Sequence, residues 1–380
     1  MLLVVNAGSS SIKLAVFDAG LREVLSARLT EIGGASVLEM GGVRRELRAA
    51  DHRAALTLAL QAMEKAGFPA KDFTAAAHRV VHGGAALTAP CRITPAVIDA
   101  IRACIPLAPL HNPANLTAIL ALQDLAPDLP QYASFDTAFH ATNPDVATRY
   151  AIPQAAHDQG IRRFGFHGIS YSALVRKVQE IAGNTGSKRL LALHLGNGAS
   201  LCAIRDGASV ATTMGYSPLD GLTMGTRSGA IDGNAVLRLA ALHGIAGAAH
   251  LLNRGSGLLA LGGHSDMRAL HAAGTAEADF AIRHFCYWAV RHAGSMIAAM
   301  GGIDAVAFTG GIGENDAKVR AEILNGLAWA GVSYSAVANA EGRRDLHLPG
   351  TSVAIWIIAA GEERQIAAEA LIVRAGENAS

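Results

Sequence analysis

The stretch LLVVNAGSSSIKLAVFDAG, residues 2–20, decides how the fold begins. Residues 2–5 form an apolar run and residues 11–17 alternate in part, so each run predicts a short β-strand. The residues between the two runs are small and polar, and Gly8 among them suits a tight turn. The sequence therefore predicts a hairpin whose tip carries Asn6, Ser9, Ser11 and Lys13.

A second stretch, LALHLGNGASLCAIRDG at residues 191–207, repeats this design. The two stretches are offset by 188 positions (196 − 8 = 188), and three residue pairs are identical at that offset: Gly8 and Gly196, Ala15 and Ala203, Asp18 and Asp206. A spacing near half of the chain length predicts duplicated halves. Each half would open with a hairpin whose glycine tip lets a ligand approach the backbone.

Composition and charge limit the classes of function. A chain of 380 residues is expected to form two domains, because single cores stop growing near ~250 to 300 residues, and two domains imply a cleft. The net charge of +1 offers no diffuse field for nucleic acid or an anionic membrane. Four scattered cysteines without a C-x-x-C pair favour free thiols in a reducing compartment, the cytoplasm.

Membrane and secretion signals are weak along the whole sequence. The N-terminus has no basic region before its four apolar residues, which argues against a signal peptide. The longest strongly apolar stretch, VAIWIIAA at residues 353–360, is far shorter than the ~20 residues that span a bilayer. We therefore expect a soluble protein.

Strands and helices alternate along the chain, which indicates an α/β fold. Helices are predicted at about 51–66, after Thr94-Pro95, and at about 169–182, 234–243 and 277–300. Strands are predicted at about 73–81, within QYASFDTAFH and within VAIWIIAA, the last followed by an amphipathic helix.

Three glycine-rich tips suit a phosphate-bearing ligand. In FTGGIGEN, Gly310, Gly311 and Gly313 end an apolar strand just before a helix, where backbone N–H groups and the helix dipole favour an anion. The tips GNG at 196–198 and NAGSSSIK at 6–13 add hydroxyls and a lysine. Neither the P-loop pattern nor the dinucleotide fingerprint occurs, so the prediction is a nucleotide site of another kind.

Two arginines lie among small residues, Arg79 in HRVVHGG and Arg227 in MGTRSGAID. Arginine binds carboxylates and phosphoryl groups with two hydrogen bonds, and flanking glycines let the ligand approach. A surface salt bridge is the alternative for either arginine taken alone.

Four histidines and two carboxylates complete the candidate set. The histidines lie in compact polar motifs and could donate to a charged oxygen, or could be structural: His82, His111, His167 and His194. Asp136 and Glu362 follow predicted strands and could lie near Mg²⁺, which needs only one or two protein carboxylates when nucleotide phosphates hold it. Glu362 could equally stabilise a helix N-terminus.

Eight of these motifs, in this order, resemble the acetate kinase family: NAGSSSIK, HRVVHGG, LAPLHNPAN, FDTAFH, FGFHGIS, HLGNGAS, SPLDGLTMGTRSGAID and FTGGIGEN. The resemblance extends over nearly the whole chain. It implies an α/β fold of two duplicated ribonuclease-H-like domains with a central cleft, as in sugar kinases, actin and the Hsp70 ATPase domain. Residues 1–140 plus 365–380 would form the N-terminal domain, and residues 141–364 the nucleotide-binding C-terminal domain.

The resemblance also implies an activity: reversible, direct in-line transfer of the γ-phosphoryl group of ATP to acetate, which gives ADP and acetyl phosphate. It implies Mg²⁺ or Mn²⁺ as the metal and a homodimer as the assembly. Positioning and charge neutralisation suffice for such a transfer, so no protein nucleophile is needed.

Residue roles follow from the same resemblance. Arg79 and Arg227 would orient the acetate carboxylate and the moving phosphoryl group, and His167 would hydrogen-bond that group, with His111 nearby. The residues implied at Mg²⁺ and its waters are Asn6, Asp136 and Glu362. Those implied at the phosphate end are Ser9, Ser11 and Lys13.

Two further sets are implied at the nucleotide and at the acid. The nucleotide would lie against His194, Leu195, Gly196, Asn197, Gly198, Asp266, Met267, Arg268, Gly311, Ile312, Gly313 and Asn315. The methyl group of acetate would face Val81, Leu110, Phe166 and Pro218.

The chain departs from the family pattern at two of these places. Met267 stands where an aromatic residue is usual, which affects base stacking and nucleotide preference. The residues before Glu362 are Ala-Ala-Gly, where Thr-Asn is common, which affects the metal role of that glutamate.

Two alternatives remain at the level of sequence. A propionate or butyrate kinase of the same family differs in a few apolar side chains, each worth ~1 to 3 kcal/mol per methylene, and Val81 favours the smaller acid. An actin-like or Hsp70-like ATPase would share the fold but need no pocket for a small acid.

Overall fold

The computed structural model describes residues 1–377. It divides into two compact units, the first formed by Met1–Phe139, Gly168–Ala173 and the described residues from Gly361 onward, the second by His140–His167 and Leu174–Ala360. The domain limits expected from the sequence stay a prediction. Residues 378–380, which that prediction gave to the first domain, lie outside the described part.

The first unit is built on an eight-stranded sheet. Its strands are β1 Leu2–Ala7, β2 Ile12–Phe17, β3 Glu23–Thr30, β4 Val37–Met40, β5 Val43–Glu46, β6 Ala75–Val80, β7 Cys91–Arg92 and β8 Gln131–Phe135. The order across the sheet is β5-β4-β3-β2-β1-β6-β8-β7, with β1 antiparallel to β2 and parallel to β6. Strands β1 and β8 are buried along their whole length, as the apolar run of residues 2–5 predicts for β1.

Two helices of the first unit begin at capping residues that the sequence offers. The helices of this unit are α1 His52–Lys65, α2 Pro95–Ala103 and α3 Asn112–Leu125, with short 3₁₀ turns at Ala70–Asp72 and Ile105–Leu107. Asp51 accepts a hydrogen bond from the backbone of Ala54 at the start of α1, and Thr94 accepts from Val97 at the start of α2. The predicted hairpin and these two helices are therefore confirmed.

The second unit is built on a five-stranded sheet. Along the chain, the segment from β8 to the first strand of this sheet contains a 3₁₀ turn Ala138–Thr142, helices α4 Asp145–Thr148, α5 Gln154–Asp158 and α6 Gly168–Ala182, and a 3₁₀ turn Gly183–Ser187. The strands are β9 Arg189–Leu195, β10 Ala199–Arg205, β11 Ala208–Thr212, β12 Ala305–Thr309 and β13 Ala354–Ile357, in the order β11-β10-β9-β12-β13.

The two sheets repeat one topology. In the first, β3-β2-β1 are antiparallel neighbours, and β1-β6-β8 are parallel neighbours. In the second, β11-β10-β9 are antiparallel and β9-β12-β13 are parallel. Shifting β1 and β2 by the predicted 188 positions gives residues 190–195 and 200–205, which lie inside β9 and β10. The predicted duplication is confirmed.

The helices of the second unit include the longest in the described chain. They are α7 Gly233–Arg254, α8 Gly257–Gly262, α9 Met267–Ala273, α10 Ala276–Met300, α11 Gly310–Asn315, α12 Ala317–Gly326 and α13 Ala336–Ala340, with a 3₁₀ turn at Ala328–Ala330. Helix α14, Glu362–Glu377, returns to the first unit and packs against β1, β6 and β8. The predicted strand, glycine turn and helix of IDAVAFTGGIGEND is confirmed as β12 and α11.

Helix α7 consists of the predicted helix at about 234–243 and a second helical segment after it. It continues to Arg254 across a break at Gly244, whose φ of 72° is non-helical and which only glycine adopts readily. By length and composition alone α7 is apolar enough to cross a membrane. Its buried residues are Ala248 and Leu252, so most of this apolar helix is exposed within its unit.

Candidate functional site

In the first unit, the predicted hairpin tip is a compact loop between β1 and β2. The Gly8 N–H donates to the Ser11 carbonyl at 2.7 Å, and the imidazole Nε2 of His52 lies 2.6 Å from the Gly8 carbonyl oxygen. Ser9 is exposed, and Lys13 Nζ lies 3.9 Å from the Glu363 carboxylate. The tip is thus tied down by its backbone, and its hydroxyls and ammonium group are accessible to a ligand.

Four of the predicted residues meet at the ends of β1, β6 and β8. The Arg79 guanidinium donates to the Asp136 carboxylate at 2.7 to 3.2 Å and to the Asn6 Oδ1 at 3.4 Å. Its Nη1 lies 3.9 Å from the Glu362 carboxylate. Parallel strands bring their carboxyl ends to one edge of the sheet, which is why residues so distant in sequence lie together here.

Burial and neighbouring charges shift the pKa values of both Arg79 and Asp136. Burial works to lower the pKa of Arg79, but the carboxylates of Asp136 and Glu362 outweigh it and raise that pKa. Burial raises the pKa of Asp136 above its ordinary value, although Arg79 works against this rise. Arg79 is therefore a cation whose charge is largely neutralised by its own neighbours.

The donor set here fits a metal ion only when other ligands take part. Asp136, Glu362 and the amide of Asn6 supply oxygen donors, the kind that Mg²⁺ prefers. Within residues 1–377 no group of three or more histidine, cysteine, aspartate or glutamate side chains could hold a metal. One or two carboxylates with nucleotide phosphates and water would suffice, so these residues suit Mg²⁺ carried by a nucleotide.

Sequence reasoning missed two asparagines that shape the neighbouring loop. Asn115 in α3 donates to the Ala7 carbonyl at 2.7 Å and accepts from the Val81 backbone at 3.0 Å, and so ties the end of β1 to the end of β6. Asn112 exchanges hydrogen bonds of 3.0 Å with the backbone of His82. Their spacing of three residues on a helix, within LHNPAN, was the available signal.

The residues predicted to contact the acid are divided between the units. Val81 follows β6 and is buried, whereas Leu110 precedes α3 and is partly exposed. His111 lies beside Leu110, in the position before the first residue of α3. Phe166 and Pro218 belong to the second unit, where Phe166 is buried next to His167.

In the second unit, His167 stands in an unusual backbone conformation. Its φ of 60° and ψ of 20° are left-handed, which is uncommon for a residue with a side chain and typical of functional positions. The His167 ring stacks on that of His194 from β9, with 4.2 Å between centroids. Its Nδ1 lies 2.9 Å from the Ser200 hydroxyl.

His167 and Arg227 converge on one point beside Gly198. A Cβ atom placed on Gly198 would lie 3.3 Å from His167 Nε2 and 3.7 Å from Arg227 Nη1. Because glycine has no side chain, the space that this Cβ would occupy, next to both groups, is left free. An atom of a ligand in this volume would meet an imidazole nitrogen and a guanidinium group together.

The charge of Arg227 has no acidic partner among the described residues. Its Nη1 donates to the Pro218 carbonyl at 3.1 Å and lies 3.8 Å from the Met224 sulfur, and no salt bridge engages it. Burial lowers the pKa of Arg227, and the nearby Arg254 lowers it further. A half-buried guanidinium group without a counter-ion is suited to bind an anion.

Eight of the predicted nucleotide residues line one cavity of about 1040 Å³ in this unit. They are Gly196, Asn197, Asp266, Met267, Arg268, Gly311, Ile312 and Asn315. Asp266 also caps α9, where it accepts from the backbone of Arg268 and Ala269, and these bonds and the Arg268 guanidinium lower the pKa of Asp266 to about 2. His194, Leu195, Gly198 and Gly313 are not part of this lining.

The same cavity has lining residues that sequence reasoning missed: Ser265, His271, Ala272, Asp316, Ala317 and Lys318. His271 lies one helical turn after Met267 on α9, and its Nε2 is 2.8 Å from the Asp316 carboxylate. Helical spacing from Met267 was the signal that pointed to His271. Lys318 could not be predicted in this way, because it lies after the FTGGIGEN motif, in the first turn of α12.

The chain is similar to known proteins over nearly its whole length. The model of the Acetokinase family matches residues 1–368. The acetate kinase of Methylocella silvestris is 41% identical over 97% of this chain and 96% of its own length. The structures of Porphyromonas gingivalis acetate kinase and of a propionate kinase from Francisella tularensis both superpose with a TM-score of 0.91 at 34% identity. They cover 98% and 97% of this chain, and this chain covers 99% and 98% of theirs.

Two repeated α/β sheets, together with superposition on these two kinases over nearly the whole chain, place it among the ATP-dependent kinases, and the predicted ribonuclease-H-like duplication is confirmed. The chain belongs to the acetokinase family.

Proposed function

We propose that this chain is an acetate kinase, which reversibly transfers the γ-phosphoryl group of ATP to acetate. The convergence of His167 Nε2 and Arg227 Nη1 on the free volume beside Gly198 carries this proposal. During transfer, the phosphoryl group carries its negative charge on its peripheral oxygens. His167 and Arg227 can donate hydrogen bonds to these oxygens. The cavity of about 1040 Å³ in the same unit would bind ATP, which is the phosphoryl donor.

The reaction needs no protein nucleophile. A carboxylate oxygen of acetate attacks the γ-phosphorus in line, the bond to the bridging oxygen breaks, and ADP leaves with the electron pair. Arg227 and His167 hold the phosphoryl oxygens, while Arg79 orients the acetate carboxylate and is itself held by Asp136. Ser9, Ser11 and Lys13 contact the phosphate end of the nucleotide.

Mg²⁺, or Mn²⁺ in its place, would be held by the nucleotide phosphates with Asp136, Glu362 and Asn6, directly or through water. The ion would neutralise charge that develops on the phosphates. The oxygen-only donor set of these three residues supports this assignment, as does the absence of a larger ligand cluster within the described residues.

Propionate kinase activity is the second candidate. The propionate kinase of known structure is as similar to this chain as the acetate kinase is, with the same TM-score of 0.91 and 34% identity. The choice depends on the apolar residues Val81, Leu110, Phe166 and Pro218, which would contact the alkyl group. Val81 is buried and β-branched, so it leaves less room for an alkyl group than alanine or glycine would, which favours the shorter acid.

A hydroxamate assay for acyl phosphate tests this function. The protein is incubated with ATP, Mg²⁺ and acetate, propionate or butyrate, and kcat/KM is measured for each acid. We expect the largest value for acetate and a decrease as the acid lengthens. A larger value for propionate would assign the second candidate, and no acyl phosphate with any acid would refute both.

We also propose that the enzyme is a homodimer that uses α7. This helix exposes Leu237, Leu242 and Ile245, which are 68%, 56% and 85% accessible. An apolar face of this kind marks a protein contact. Family membership favours a second copy of this chain as the partner that covers α7. Separately, the free cysteines and the balanced charge favour a cytoplasmic location.

Analytical ultracentrifugation of Leu237→Glu and Ile245→Glu tests the dimer. We expect dissociation to monomers, because burying an unpaired carboxylate is costly. Val146→Glu is the matched control, since Val146 is 90% accessible and lies outside α7. Sedimentation of the parent as a monomer at micromolar concentration would contradict the proposal.

A further inference from the structure

The catalytic assignment of His167 depends on which of its ring nitrogens faces the ligand. A phosphoryl oxygen only accepts hydrogen bonds, so the nitrogen that faces it must carry a proton. Nε2 is the nitrogen beside the free volume at Gly198, and Nδ1 is engaged by the Ser200 hydroxyl at 2.9 Å. The partner of Nδ1 therefore decides whether Nε2 is a donor.

A hydroxyl is an unusual partner for this purpose because it both donates and accepts. It can donate to Nδ1 of a neutral ring, which then carries its proton on Nε2. It can also accept from Nδ1 of a charged ring, in which Nε2 again carries a proton. A carbonyl in the same place would bind only a protonated Nδ1, and would leave Nε2 of a neutral ring without one.

We propose that Ser200 is a positioning residue for His167: its hydroxyl donates to Nδ1 of the neutral ring, or accepts from Nδ1 of the charged ring, and Nε2 is then the donor toward the transferred phosphoryl group. Ser200 is completely buried on β10, so its hydroxyl is fixed by the sheet. This inference rests on the proposed function, because it assigns a purpose to a residue of that same site.

A second contact fixes the backbone from which His167 projects. The buried His140 ring lies with Nε2 2.9 Å from the Phe166 carbonyl and Nδ1 2.9 Å from the Ser209 hydroxyl. A carbonyl only accepts, so Nε2 of His140 carries the proton. Burial lowers the pKa of His140 to about 4, which keeps this ring neutral.

Gly165 completes the support. Its φ is 77°, and a Cβ there would lie 2.6 Å from His140 Cδ2. Gly165 and the Phe166 carbonyl thus both contact His140, and these contacts support the left-handed backbone conformation of the adjacent His167. With the backbone fixed by His140, the remaining freedom is rotation of the His167 side chain, which the Ser200 hydroxyl restricts.

Kinetics of Ser200→Ala test the proposal. We expect kcat to fall by about 10- to 100-fold, as for other groups that orient a functional histidine. KM for ATP and for the acid should change by less than about threefold, since no substrate contact is lost. Ser200→Cys fills the same space with a thiol that bonds weakly, so it should behave like Ser200→Ala.

Two further measurements separate positioning from a general loss of structure. The ring ¹⁵N resonances of His167 should move in Ser200→Ala, because Nδ1 loses its partner. Ser187→Ala is the matched control: Ser187 is buried in the same unit and lies 3.3 Å from the Gln179 amide, so its removal should leave kcat and the His167 resonances unchanged.

Each outcome is decisive. Parent-like kcat in Ser200→Ala, full activity in Ser200→Cys, or unchanged His167 resonances would overturn the role of the hydroxyl. If Ser200→Ala does not fold, Ser200→Cys provides the same test. Absence of acyl phosphate with the parent protein would instead refute the proposed function and leave the hydrogen bond to be examined by the spectra alone.

Discussion

The two hairpins that open the two units share a topology but not a chemistry. The ranges of β1 and β2 match those of β9 and β10 at an offset of 188 residues, at which Gly198 corresponds to Ser10 (198 − 10 = 188). The first tip carries hydroxyls and a lysine, and the second carries glycine beside an imidazole and a guanidinium. Duplication thus kept the strands and changed what the tips present to a ligand.

The two arginines show the same contrast in their charges. Arg79 lies 2.7 Å from Asp136, whereas Arg227 has no acidic partner among residues 1–377. A neutralised cation is held in a fixed orientation, and an unneutralised one attracts an anion. We infer that the first unit orients a substrate and that the second stabilises developing charge, and the following experiments address this difference.

The largest effect is expected from Arg227→Ala. Loss of a guanidinium that stabilises a transferring phosphoryl group should lower kcat by about a thousandfold or more. The midpoint of thermal unfolding should stay the same or rise, because a half-buried, unpaired charge is removed. Arg254→Ala is the control, since Arg254 is exposed and acts on Arg227 only through its charge. Near-normal kcat in Arg227→Ala would remove the basis of the comparison.

Gly198→Ala should have the next largest effect. The added methyl group would occupy the volume between His167 Nε2 and Arg227 Nη1, at 3.3 and 3.7 Å. We expect kcat to fall by about a hundredfold with little change in stability. Ser10→Ala at the corresponding place in the first hairpin should change kcat by no more than about twofold, because Ser10 is exposed. Equal losses in the two variants would show that the tips are equivalent after all.

Arg79→Ala separates the two arginines by stability. Removal of this side chain leaves the Asp136 carboxylate buried without its partner, which should lower the free energy of unfolding by about 2 kcal/mol. That figure is below the usual cost for a fully buried pair because Arg79 is 23% accessible. Urea unfolding of Arg79→Ala and Arg227→Ala side by side measures the difference. The comparison fails if the two variants are equally stable.

The smallest effect concerns pH. Burial lowers the pKa of His78, next to Arg79, to about 4, as it does for His140 in the second unit. The unfolded chain binds a proton near pH 6.5 and the folded ring does not, so stability is lost as the pH falls from about 6.5 toward 4. Between pH 7 and 5.5 each ring should cost about 1 kcal/mol.

Urea unfolding at the two pH values measures this loss. His78→Gln should reduce the loss by the share of one ring, because glutamine does not titrate. His264→Gln should leave it unchanged, because His264 is exposed and lies outside α7. An identical pH dependence in the parent and His78→Gln would show that His78 is not held neutral by the fold.

Much of the fold was predictable because its signals are local. The apolar runs of β1, β9 and β12 and the capping residues of α1 and α2 lie within a few positions of the structure that they form. The strands β3 to β5 were not identified, because their residues are largely exposed and carry no clear alternation. The predicted end of the first segment of α7 before Gly244 is confirmed, and the second segment after this glycine was not predicted.

The residues of the candidate site that belong to short sequence motifs could be predicted. Those that act through contacts between distant segments could not. Eight predicted residues share one cavity because they belong to three short glycine-rich or capping motifs. Asn115, His140 and Ser200 were not found. Each acts on a residue from a distant segment, such as the Ala7 carbonyl that Asn115 reaches across 108 positions.

The sequence by itself determined the duplicated α/β plan, the family and the side chains available for phosphoryl transfer. It could do so because strand periodicity, turn residues and motif order are written along the chain. Only the tertiary structure decided that Arg79 is neutralised and Arg227 is not. Electrostatic compensation depends on distance through space and on burial, and Arg79 and Asp136 are 57 positions apart in sequence but 2.7 Å apart in the fold.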